Sequence, residues 1–318
     1  MRIVALDAYT ANPGDLKWDA LFELGDVVIY DRTARSETLE RAKDAEIVLT
    51  NKVILDAPII ERLPKLRYVG VLATGTNIVD SASARARGII VTNIPQYSTE
   101  SVVQTTLAHL LNIASSYVLN VTSTRRGEWA SCQDFSYTKG PLVELSGKRI
   151  GIVGFGAIGK RVAQATLALG MDVCAYSPRL TPGEDYDGVK AIPLGELFAT
   201  SDVVTLHCPL KEETRALVNA ERINTMKRGA WIINTGRGPL IDENAVANAL
   251  RSGRLGAVGV DVLSSEPPSE TNPLISAPNC YVTPHNAWAS FEARHRLVDI
   301  AIENIKAFLA DKPQNVVN

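Results

Sequence analysis

The chain has 318 residues, of which 46% are hydrophobic and 21% charged, a composition typical of a globular protein with two ordinary domains. Its formal net charge of −2 lacks the basic excess of proteins that bind nucleic acid or anionic membranes, so neither partner is expected. No apolar run is long enough to cross a bilayer, and the chain start lacks the pattern of a signal peptide. Four scattered cysteines, with no Cys-x-x-Cys pair, argue against structural zinc and favour a cytoplasmic location.

Short apolar runs alternate with helical patterns over residues 1–97. This alternation predicts a parallel sheet covered by helices on both faces. The predicted strands are Ile3–Leu6, Val27–Tyr30, Ile47–Thr50, Tyr68–Ala73 and Ile89–Thr92, and the predicted helices are Leu16–Leu24, Glu37–Ala42, Ala57–Leu63 and Asp80–Arg87. No glycine-rich nucleotide motif occurs here, so this half is not expected to bind the nucleotide.

A single long helix is predicted from Ser98 to about Thr124, because its first turn is rich in N-capping residues. We expect it to carry the chain from the first domain into the second. Residues 127–140 have a loop-like composition that includes three aromatic side chains. These side chains could cover the core or pack at a domain or subunit interface, and core packing is favoured. They are Trp129, Phe135 and Tyr137.

A Gly-x-Gly-x-x-Gly motif stands between an apolar run and a helical pattern. Such a strand, turn and helix form the context in which the motif binds a dinucleotide. Gly154 permits a tight turn, Gly156 lets a pyrophosphate approach the backbone, and Gly159 lets the helix pack on the strand. Ala157 and Ile158 open the helix, whose free N–H groups would face the phosphates. The motif therefore predicts an NAD or NADP site.

The alternation of strands and helices resumes after the motif and predicts a second parallel sheet. Six strands of this kind suit a Rossmann domain. The predicted strands are Gly151–Val153, Val173–Tyr176, Val203–Leu206, Ala230–Asn234, Ala257–Val262 and Tyr281–Thr283. A long amphipathic helix is predicted over Ser290–Leu309, which could fold back onto the first domain.

The position that selects between NAD and NADP lies at the end of the second strand of this sheet. NAD-preferring domains usually carry an acidic residue there, which bonds the ribose 2′-hydroxyl. Ser177 stands at that position and Arg179 follows it. Serine does not repel a 2′-phosphate and arginine binds one, so this pair slightly favours NADP. Alternatively, Ser177 bonds the ribose of NAD and Arg179 is a solvated surface charge.

Four further segments, taken with the glycine motif, are similar to the D-isomer-specific 2-hydroxyacid dehydrogenase family. The residue order of the second and fourth segments resembles the glycerate dehydrogenase (hydroxypyruvate reductase) branch of that family. The segments are ATGTNIVD from Ala73, NTGRGPL from Asn234, GVDVLSSEP from Gly259 and TPHNAW from Thr283. The resemblance implies an α/β protein of two doubly wound parallel-sheet domains. A Rossmann domain, residues 99–286, would be inserted in a flavodoxin-like substrate domain, residues 1–98 and 287–318.

The resemblance also implies a catalytic triad. His285 would donate a proton to the carbonyl oxygen of a 2-keto acid, and it would act as the base in reverse. Glu266 would hydrogen-bond the imidazole and favour its charged form. Arg237 would bind the substrate carboxylate through its planar fork of donors. No metal is expected, because the four histidines show no ligand spacing and Arg237 can polarise the carbonyl.

The remaining site residues follow from the same resemblance. Asp261 would meet the nicotinamide, and an acid inside an apolar run also needs a partner. Beyond the glycine motif, Ser177 and Arg179, the expected cofactor contacts are Thr74, Cys208, Pro209, Thr235, Gly236, Arg237, Asp261 and His285. The expected substrate contacts are Lys52, Thr74, Gly75, Thr76, Arg237, His285 and Trp288. Lys52 is a secondary candidate, and Trp288 would line the pocket or position a neighbouring subunit.

The expected reaction is reduction of hydroxypyruvate, and also glyoxylate, by a homodimer. A short D-3-phosphoglycerate dehydrogenase is the alternative enzyme, and a dinucleotide-sensing corepressor-like binding protein is the alternative outside catalysis. The chain departs from the family pattern at Asn286, which follows the histidine, and at Gln96, where glycine is common. Both departures bear on the substrate more than on the reaction.

Overall fold

The computed structural model describes all 318 residues, which form two compact units. Unit 1 comprises Met1–Ser98 and Ala289–Asn318, and unit 2 comprises Thr99–Trp288. The chain therefore leaves unit 1 once and returns to it. No helix in the structure combines the length and apolar character that a bilayer crossing requires.

Unit 1 is built on a parallel sheet of five strands with the order β2-β1-β3-β4-β5. This is the strand order of the flavodoxin-like doubly wound fold. The strands are β1 (Arg2–Ala5), β2 (Asp26–Ile29), β3 (Ile47–Thr50), β4 (Tyr68–Val71) and β5 (Ile90–Thr92). The helices are α1 (Asp19–Phe22), α2 (Thr38–Ala42), α3 (Ala57–Glu61), α4 (Ser81–Ala86) and α11 (Phe291–Leu309).

The core of unit 1 follows from the hydrophobic runs of its central strands. All residues of β3 and β4 are buried, as expected for strands covered on both faces. Helix α11 belongs to this unit, and its Phe308 ring lies 4.9 Å from the ring of the buried Tyr68. Ser290 caps α11 by accepting a hydrogen bond from the N–H of Ala293.

Unit 2 contains a sheet of eight strands with the order β13-β12-β11-β10-β6-β7-β9-β8. Its strands are β6 (Arg149–Val153), β7 (Asp172–Tyr176), β8 (Asp185–Tyr186), β9 (Val189–Ala191), β10 (Val203–Leu206), β11 (Ala230–Asn234), β12 (Leu255–Val260) and β13 (Cys280–Val282). Its helices are α5 (Thr99–Ser115), α6 (Tyr117–Arg125), α7 (Ala157–Ala168), α8 (Leu194–Thr200), α9 (Ala220–Thr225) and α10 (Glu243–Arg251). Only β8 is antiparallel to its neighbour, and the order of the parallel strands contains the Rossmann arrangement.

The prediction of one long helix over residues 98–124 is wrong, because the helix breaks at Ser116. This residue has a left-handed backbone with φ of 47°, which ends α5 and redirects the chain into α6. The break is held by side chains, since Ser116 Oγ donates to Pro141 O at 2.7 Å and Asn112 Oδ1 accepts from Val118 N at 2.9 Å.

The prediction of six strands in the second sheet missed β8 and β9. These short strands form a hairpin around Asp187 and Gly188, which have φ of 57° and 84°. An Asp-Gly pair between two strands is a strong hairpin signal, so the sequence did contain the information.

The favoured prediction that the aromatic side chains between α6 and β6 cover the core is wrong for Trp129 and Phe135. Phe135 is 91% exposed and Trp129 is 53% exposed. The Trp129 indole donates to Phe135 O at 3.0 Å, and Tyr137 Oη lies 2.7 Å from Ser123 Oγ. The segment is therefore ordered by its own hydrogen bonds while its apolar rings face outward.

Candidate active site

The glycine motif forms the turn between β6 and α7. Gly154 has φ of 98°, and a Cβ atom there would stand 2.5 Å from Cys208 N. A Cβ atom at Gly159 would stand 2.1 Å from Gly154 O, because the first turn of α7 packs directly on this turn. Both positions therefore require glycine, one for its conformation and both for space.

Gly156 has a different role, since a Cβ atom there would meet nothing within 4 Å. Open space lies over this residue, which is the N-cap of α7 and supplies no side-chain cap. The N–H groups of Ala157 and Ile158 at the start of the helix are therefore available to an anion. A pyrophosphate fits both the space and the donors, so these residues suit NAD or NADP.

The ribose position at the end of β7 carries no carboxylate. Ser177 is buried, and its Oγ accepts from Arg179 N at 3.4 Å. Arg179 is exposed, with its guanidinium at the surface beside the turn. The backbone N–H of Gly154 donates to Tyr176 O at 2.8 Å, which ties this strand end to the glycine turn.

The end of β10 lies against the glycine turn and is uncharged. Burial lowers the pKa of His207 to about 4 and raises the pKa of the Cys208 thiol, so both side chains are neutral near pH 7. His207 Nε2 lies 2.9 Å from Thr205 Oγ1, while its Nδ1 is buried without a hydrogen-bond partner. Pro209 follows on the exposed surface.

The three triad residues follow three adjacent parallel strands. Arg237 comes after β11, Glu266 after β12 and His285 after β13, and these strands are neighbours in that order. The carboxyl ends of parallel strands lie at one edge of a sheet, where α/β proteins bind their ligands. The topology therefore brings the predicted triad to one edge of unit 2.

Glu266 and His285 form a direct pair. His285 Nδ1 lies 2.5 Å from Glu266 Oε2, and Glu266 Oε1 accepts from Leu263 N at 3.0 Å. The carboxylate is therefore fixed on one side by the backbone and on the other by the imidazole. His285 has a left-handed backbone with φ of 51°, a strained conformation for a residue other than glycine.

Asp261 holds the loop that carries His285. This residue is 1% exposed, and its carboxylate accepts from Thr283 Oγ1 at 2.6 Å, Asn286 N at 3.0 Å and Ala287 N at 2.9 Å. Both of its oxygens are thus engaged by the loop. Its predicted contact with the nicotinamide remains a prediction, whereas the structure shows it as an anchor.

Arg237 lies in a turn packed tightly against neighbouring chain. Asn234 Nδ2 donates to Arg237 O at 2.8 Å, and its Oδ1 accepts from Gly236 N at 3.0 Å. A Cβ atom at Gly238 would stand 2.0 Å from the backbone of Leu263, so the turn rests on the loop that leads to Glu266. The Arg237 guanidinium is exposed and donates only to Gly236 O at 2.7 Å.

Two other predicted residues flank this centre. Thr235 is buried, and its Oγ1 lies 2.9 Å from Thr106 Oγ1 on α5. The indole of Trp288 donates to His285 O at 2.8 Å, which adds a further support to the strained residue. Asn286, the first departure from the family pattern, is exposed beside His285.

The predicted substrate residues of unit 1 lie after β3 and β4, at the carboxyl edge of its sheet. Lys52 is exposed, and its backbone N–H donates to Asp7 Oδ2 at 2.5 Å. Asp7 also accepts from Asn51 N at 2.8 Å, Val53 N at 3.2 Å and Thr50 Oγ1 at 3.1 Å. Burial raises the pKa of Asp7, an effect that these hydrogen bonds oppose.

The segment after β4 presents backbone donors. Thr74 is fixed because its Oγ1 donates to Ile94 O at 2.9 Å and its carbonyl accepts from Asn93 Nδ2 at 2.8 Å. The N–H groups of Gly75 and Thr76 donate to no protein acceptor. Gln96, the second departure from the family pattern, has φ of 55°, the conformation that explains why glycine is common there.

Sequence reasoning missed the residues that support the predicted ones. Asp7 anchors the loop that carries Lys52. Thr283 donates a hydrogen bond to Asp261, and His109 Nε2 lies 3.2 Å from Thr283 Oγ1. The available signal was an acidic residue within two positions of the end of a mostly buried strand, which Asp7 shares with Asp261. No cluster of three histidine, cysteine or acidic side chains is arranged to hold a metal ion.

A Rossmann unit with open space over Gly156 and a carboxylate–imidazole pair at the same sheet edge is typical of a dinucleotide-dependent dehydrogenase. The sequence profile of the D-isomer specific 2-hydroxyacid dehydrogenase NAD binding domain matches residues 107–287. A hydroxypyruvate reductase from Blautia hydrogenotrophica is 46% identical over 321 aligned residues, which cover 100% of both proteins. The chain belongs to the D-isomer specific 2-hydroxyacid dehydrogenase family.

Further similarities agree with this assignment. A glycerate dehydrogenase from Methylorubrum extorquens is 42% identical over 283 residues, which cover 88% of each protein. Among solved structures, an acyclic imino acid reductase in complex with NADPH and D-Arg has a TM-score of 0.87 and 29% identity, with 100% of both chains covered. The protein is therefore an NAD(P)-dependent oxidoreductase that acts on the CH–OH group of 2-hydroxy acids.

Proposed function

We propose that this enzyme reduces hydroxypyruvate to D-glycerate, and glyoxylate to glycolate, with NADPH or NADH. The contact between His285 and Glu266 at the carboxyl edge of the sheet carries the proposal, because it supplies the proton that reduction of a keto group requires. The relatives named hydroxypyruvate reductase and glycerate dehydrogenase support this choice of substrate.

The imidazole delivers the proton in this mechanism. His285 Nδ1 faces Glu266, so Nε2 is the nitrogen left to donate to the carbonyl oxygen. The carboxylate stabilises the charged imidazolium before transfer and orients the ring throughout. When bound, the reduced nicotinamide supplies a hydride to the carbonyl carbon. His285 then recovers its proton from solvent, and the steps reverse for oxidation.

Substrate binding in this proposal depends on the carboxylate common to all 2-keto acids. The Arg237 guanidinium binds that carboxylate with two parallel hydrogen bonds and polarises the adjacent carbonyl. Within unit 1, the N–H groups of Gly75 and Thr76 and the charge of Lys52 at the carboxyl edge of the sheet are suited to a carboxylate, which supports their proposal as substrate contacts. We propose that Trp288, close to His285, lines the pocket.

The decisive experiment measures loss of NAD(P)H absorbance with hydroxypyruvate, glyoxylate, pyruvate and phosphohydroxypyruvate in parallel. We expect the highest kcat/KM with hydroxypyruvate, followed by glyoxylate. A marked preference for phosphohydroxypyruvate would replace the proposal with a D-3-phosphoglycerate dehydrogenase. Absence of turnover on every 2-keto acid would favour a corepressor-like binding protein.

We also propose a modest preference for NADPH. Ser177 carries no charge to repel a 2′-phosphate, and the guanidinium of Arg179 is free at the surface. The reductase solved with NADPH shows that this cofactor occurs in a protein of the same fold. Arg179→Ala should lower kcat/KM with NADPH about tenfold and leave NADH unchanged, while Ser177→Asp should reverse the preference. A strong NADH preference of the wild type would contradict this assignment.

A homodimer and a cytoplasmic location complete the proposal. Several large apolar side chains of unit 2 are exposed between residues 111 and 142, including Tyr117, Phe135 and Leu142. Exposed apolar side chains in such numbers support a protein interface here, since large apolar patches commonly mark one. Sedimentation should give a dimer that Tyr117→Asp converts to a monomer. The four free cysteines support a reducing compartment, which cell fractionation tests.

A further inference from the structure

Helix α5 carries a row of buried polar side chains along a mostly apolar face. Ser101, Thr106 and His109 are each less than a tenth exposed. Thr106 and His109 are three residues apart and are neighbours on the helix surface, while Ser101 lies more than one turn before them. Burial of such groups costs free energy unless each finds a hydrogen-bond partner, so their partners explain why they are there.

Two of these side chains contact the loop that carries His285. Ser101 Oγ donates to Ala287 O at 2.6 Å, and His109 Nε2 lies 3.2 Å from Thr283 Oγ1. The contacts fall two residues to either side of His285. The loop is thus held at both ends by α5, in addition to the hydrogen bonds from Asp261.

The third side chain contacts the turn that carries Arg237. Thr106 Oγ1 lies 2.9 Å from Thr235 Oγ1, and both hydroxyls are buried. Thr106 Oγ1 also donates within its helix to Val102 O at 2.9 Å. One rigid helix therefore touches both catalytic segments.

We propose that Ser101, Thr106 and His109 are positioning residues, which fix the loops of Arg237 and His285 relative to each other through one helix. This inference rests on the proposed function, because it takes Arg237 and His285 as the groups that act on the substrate. We assign them a positioning role because the contacts described above are with Ala287, Thr283 and Thr235 and not with the side chains of His285 or Arg237.

The hydrogen-bond directions around His109 form a chain that ends at the His285 loop. The Thr283 hydroxyl donates to Asp261 at 2.6 Å, so its oxygen is left to accept from His109 Nε2–H. Burial lowers the pKa of His109, which agrees with a neutral ring that donates from this nitrogen. A Cβ atom at Gly259 would lie 2.8 Å from the ring, so His109 packs over β12 in space that only a glycine leaves open.

The first test compares two buried threonines. Thr106→Val removes the hydroxyl that reaches Thr235, and Thr166→Val removes an equally buried hydroxyl that bonds only within α7. We expect kcat to fall about tenfold in the first variant and less than about twofold in the second, although both lose an intrahelical hydrogen bond. Thr106→Ser should restore kcat, since it restores the hydroxyl. Equal kcat in the two valine variants, or no recovery with serine, would overturn the proposal.

The second test replaces His109 with side chains of similar length. His109→Gln keeps an N–H donor near Thr283, and His109→Met removes it. We expect kcat to fall about tenfold with methionine and about twofold with glutamine, while the Kd for NADPH measured by fluorescence stays constant. Equal loss in both variants would assign the effect to packing alone and overturn the proposal.

Hydrogen exchange of the backbone amides of Asn286 and Ala287 provides a readout that needs no turnover. Both amides donate to Asp261, so loosening of the loop should speed their exchange about tenfold in His109→Met and not in Thr166→Val. Unchanged exchange in His109→Met would overturn the proposal. If the wild type turns over no 2-keto acid and exchange is nevertheless faster in His109→Met, the proposed function fails while the bracing of the loop stands.

Discussion

Asp7 in unit 1 and Asp261 in unit 2 hold two loops in the same way. Asp7 lies shortly after β1 and Asp261 directly after β12, and each accepts backbone N–H groups from the loop after a neighbouring strand. Each also accepts from a threonine hydroxyl at the start of that loop, Thr50 or Thr283. A buried carboxylate that collects several N–H groups is a rigid support for a loop, because each bond to a charged acceptor is strong.

The two loops differ in what they carry. The Asp261 loop holds His285 in a left-handed conformation and in contact with Glu266, and Trp288 adds a bond to the His285 carbonyl. The Asp7 loop carries Lys52, whose side chain is exposed. We expect this difference from the proposed roles, because a proton donor must be fixed in direction, whereas a cation that attracts a carboxylate needs only to be near.

Removal of the proton donor should give the largest effect. His285→Ala should reduce kcat about 1,000-fold or more, since general acid catalysis and part of the binding energy are lost together. Binding of NADPH, measured by fluorescence, should remain within about threefold of the wild type. Turnover above about a tenth of the wild-type rate would exclude His285 as the acid.

Matched substitutions of the two anchors test the comparison itself. Asp261→Asn should reduce kcat about 30- to 100-fold, because an amide cannot accept from all three donors and the strained loop relaxes. Asp7→Asn should raise KM about fivefold with little change in kcat. Steady-state kinetics of both variants decide the matter, and similar losses of kcat in the two would end the distinction between the loops.

Loss of the charge on Glu266, the partner of the His285 imidazole, should have the next largest effect on kcat. Glu266→Gln keeps the hydrogen bond from Leu263 and removes the negative charge beside His285, so kcat should fall about tenfold to thirtyfold. Glu243→Gln serves as a control, since Glu243 binds the backbone of Ser264 on the same segment without contact to His285. A larger loss of kcat in the control would attribute the effect to the segment and not to the charge.

Lys52 should have a smaller effect that is confined to binding. Lys52→Met removes the charge and retains most of the side-chain length, so KM for the keto acid should rise about threefold with kcat unchanged. The effect should diminish at high salt, because an exposed charge is screened. A fall in kcat without a change in KM would place Lys52 in the chemistry and not in binding.

The smallest effect concerns stability. The raised pKa of Asp7 means that the folded state holds this proton more tightly than the unfolded state, so its contribution to stability is lost as pH rises above about 4. The melting temperature of the wild type relative to Asp7→Asn should therefore decline by about 1–2 °C as pH increases through this window. A relative increase would show that hydrogen bonds outweigh burial at Asp7.

The sequence predicted the doubly wound sheets, apart from β8 and β9, and it identified Glu266 and His285, which the structure brings into contact. The apolar runs indicated most of the strands. Gly154, Gly156 and Gly159 could be assigned separate roles, and the space around each of them explains those roles. The sharp break at Ser116 could not be predicted, because it depends on a hydrogen bond to Pro141, far along the chain. A local pattern contains no information about such a distant partner.

The supports of the site were hidden for the same reason. Asp7 and Thr50 are separated by 43 residues, and His109 and Thr283 by 174. Each looks like an ordinary polar residue in its own segment, and its function emerges only when parallel strands place the segments side by side. The residues expected to act on the substrate were recognisable by chemistry, whereas those that hold them were recognisable only by geometry.

The closed packing around two of the three glycines limits how this enzyme can be redesigned. Substitution at Gly154 or Gly159 would force main-chain atoms apart, whereas Arg179, just beyond the end of β7, is exposed. A substitution that alters coenzyme preference is therefore better placed at Arg179 than at Gly154 or Gly159. Gly154 and Gly159 are thus requirements of the fold itself, whereas the residue that follows β7 on the surface can vary without disturbing the backbone.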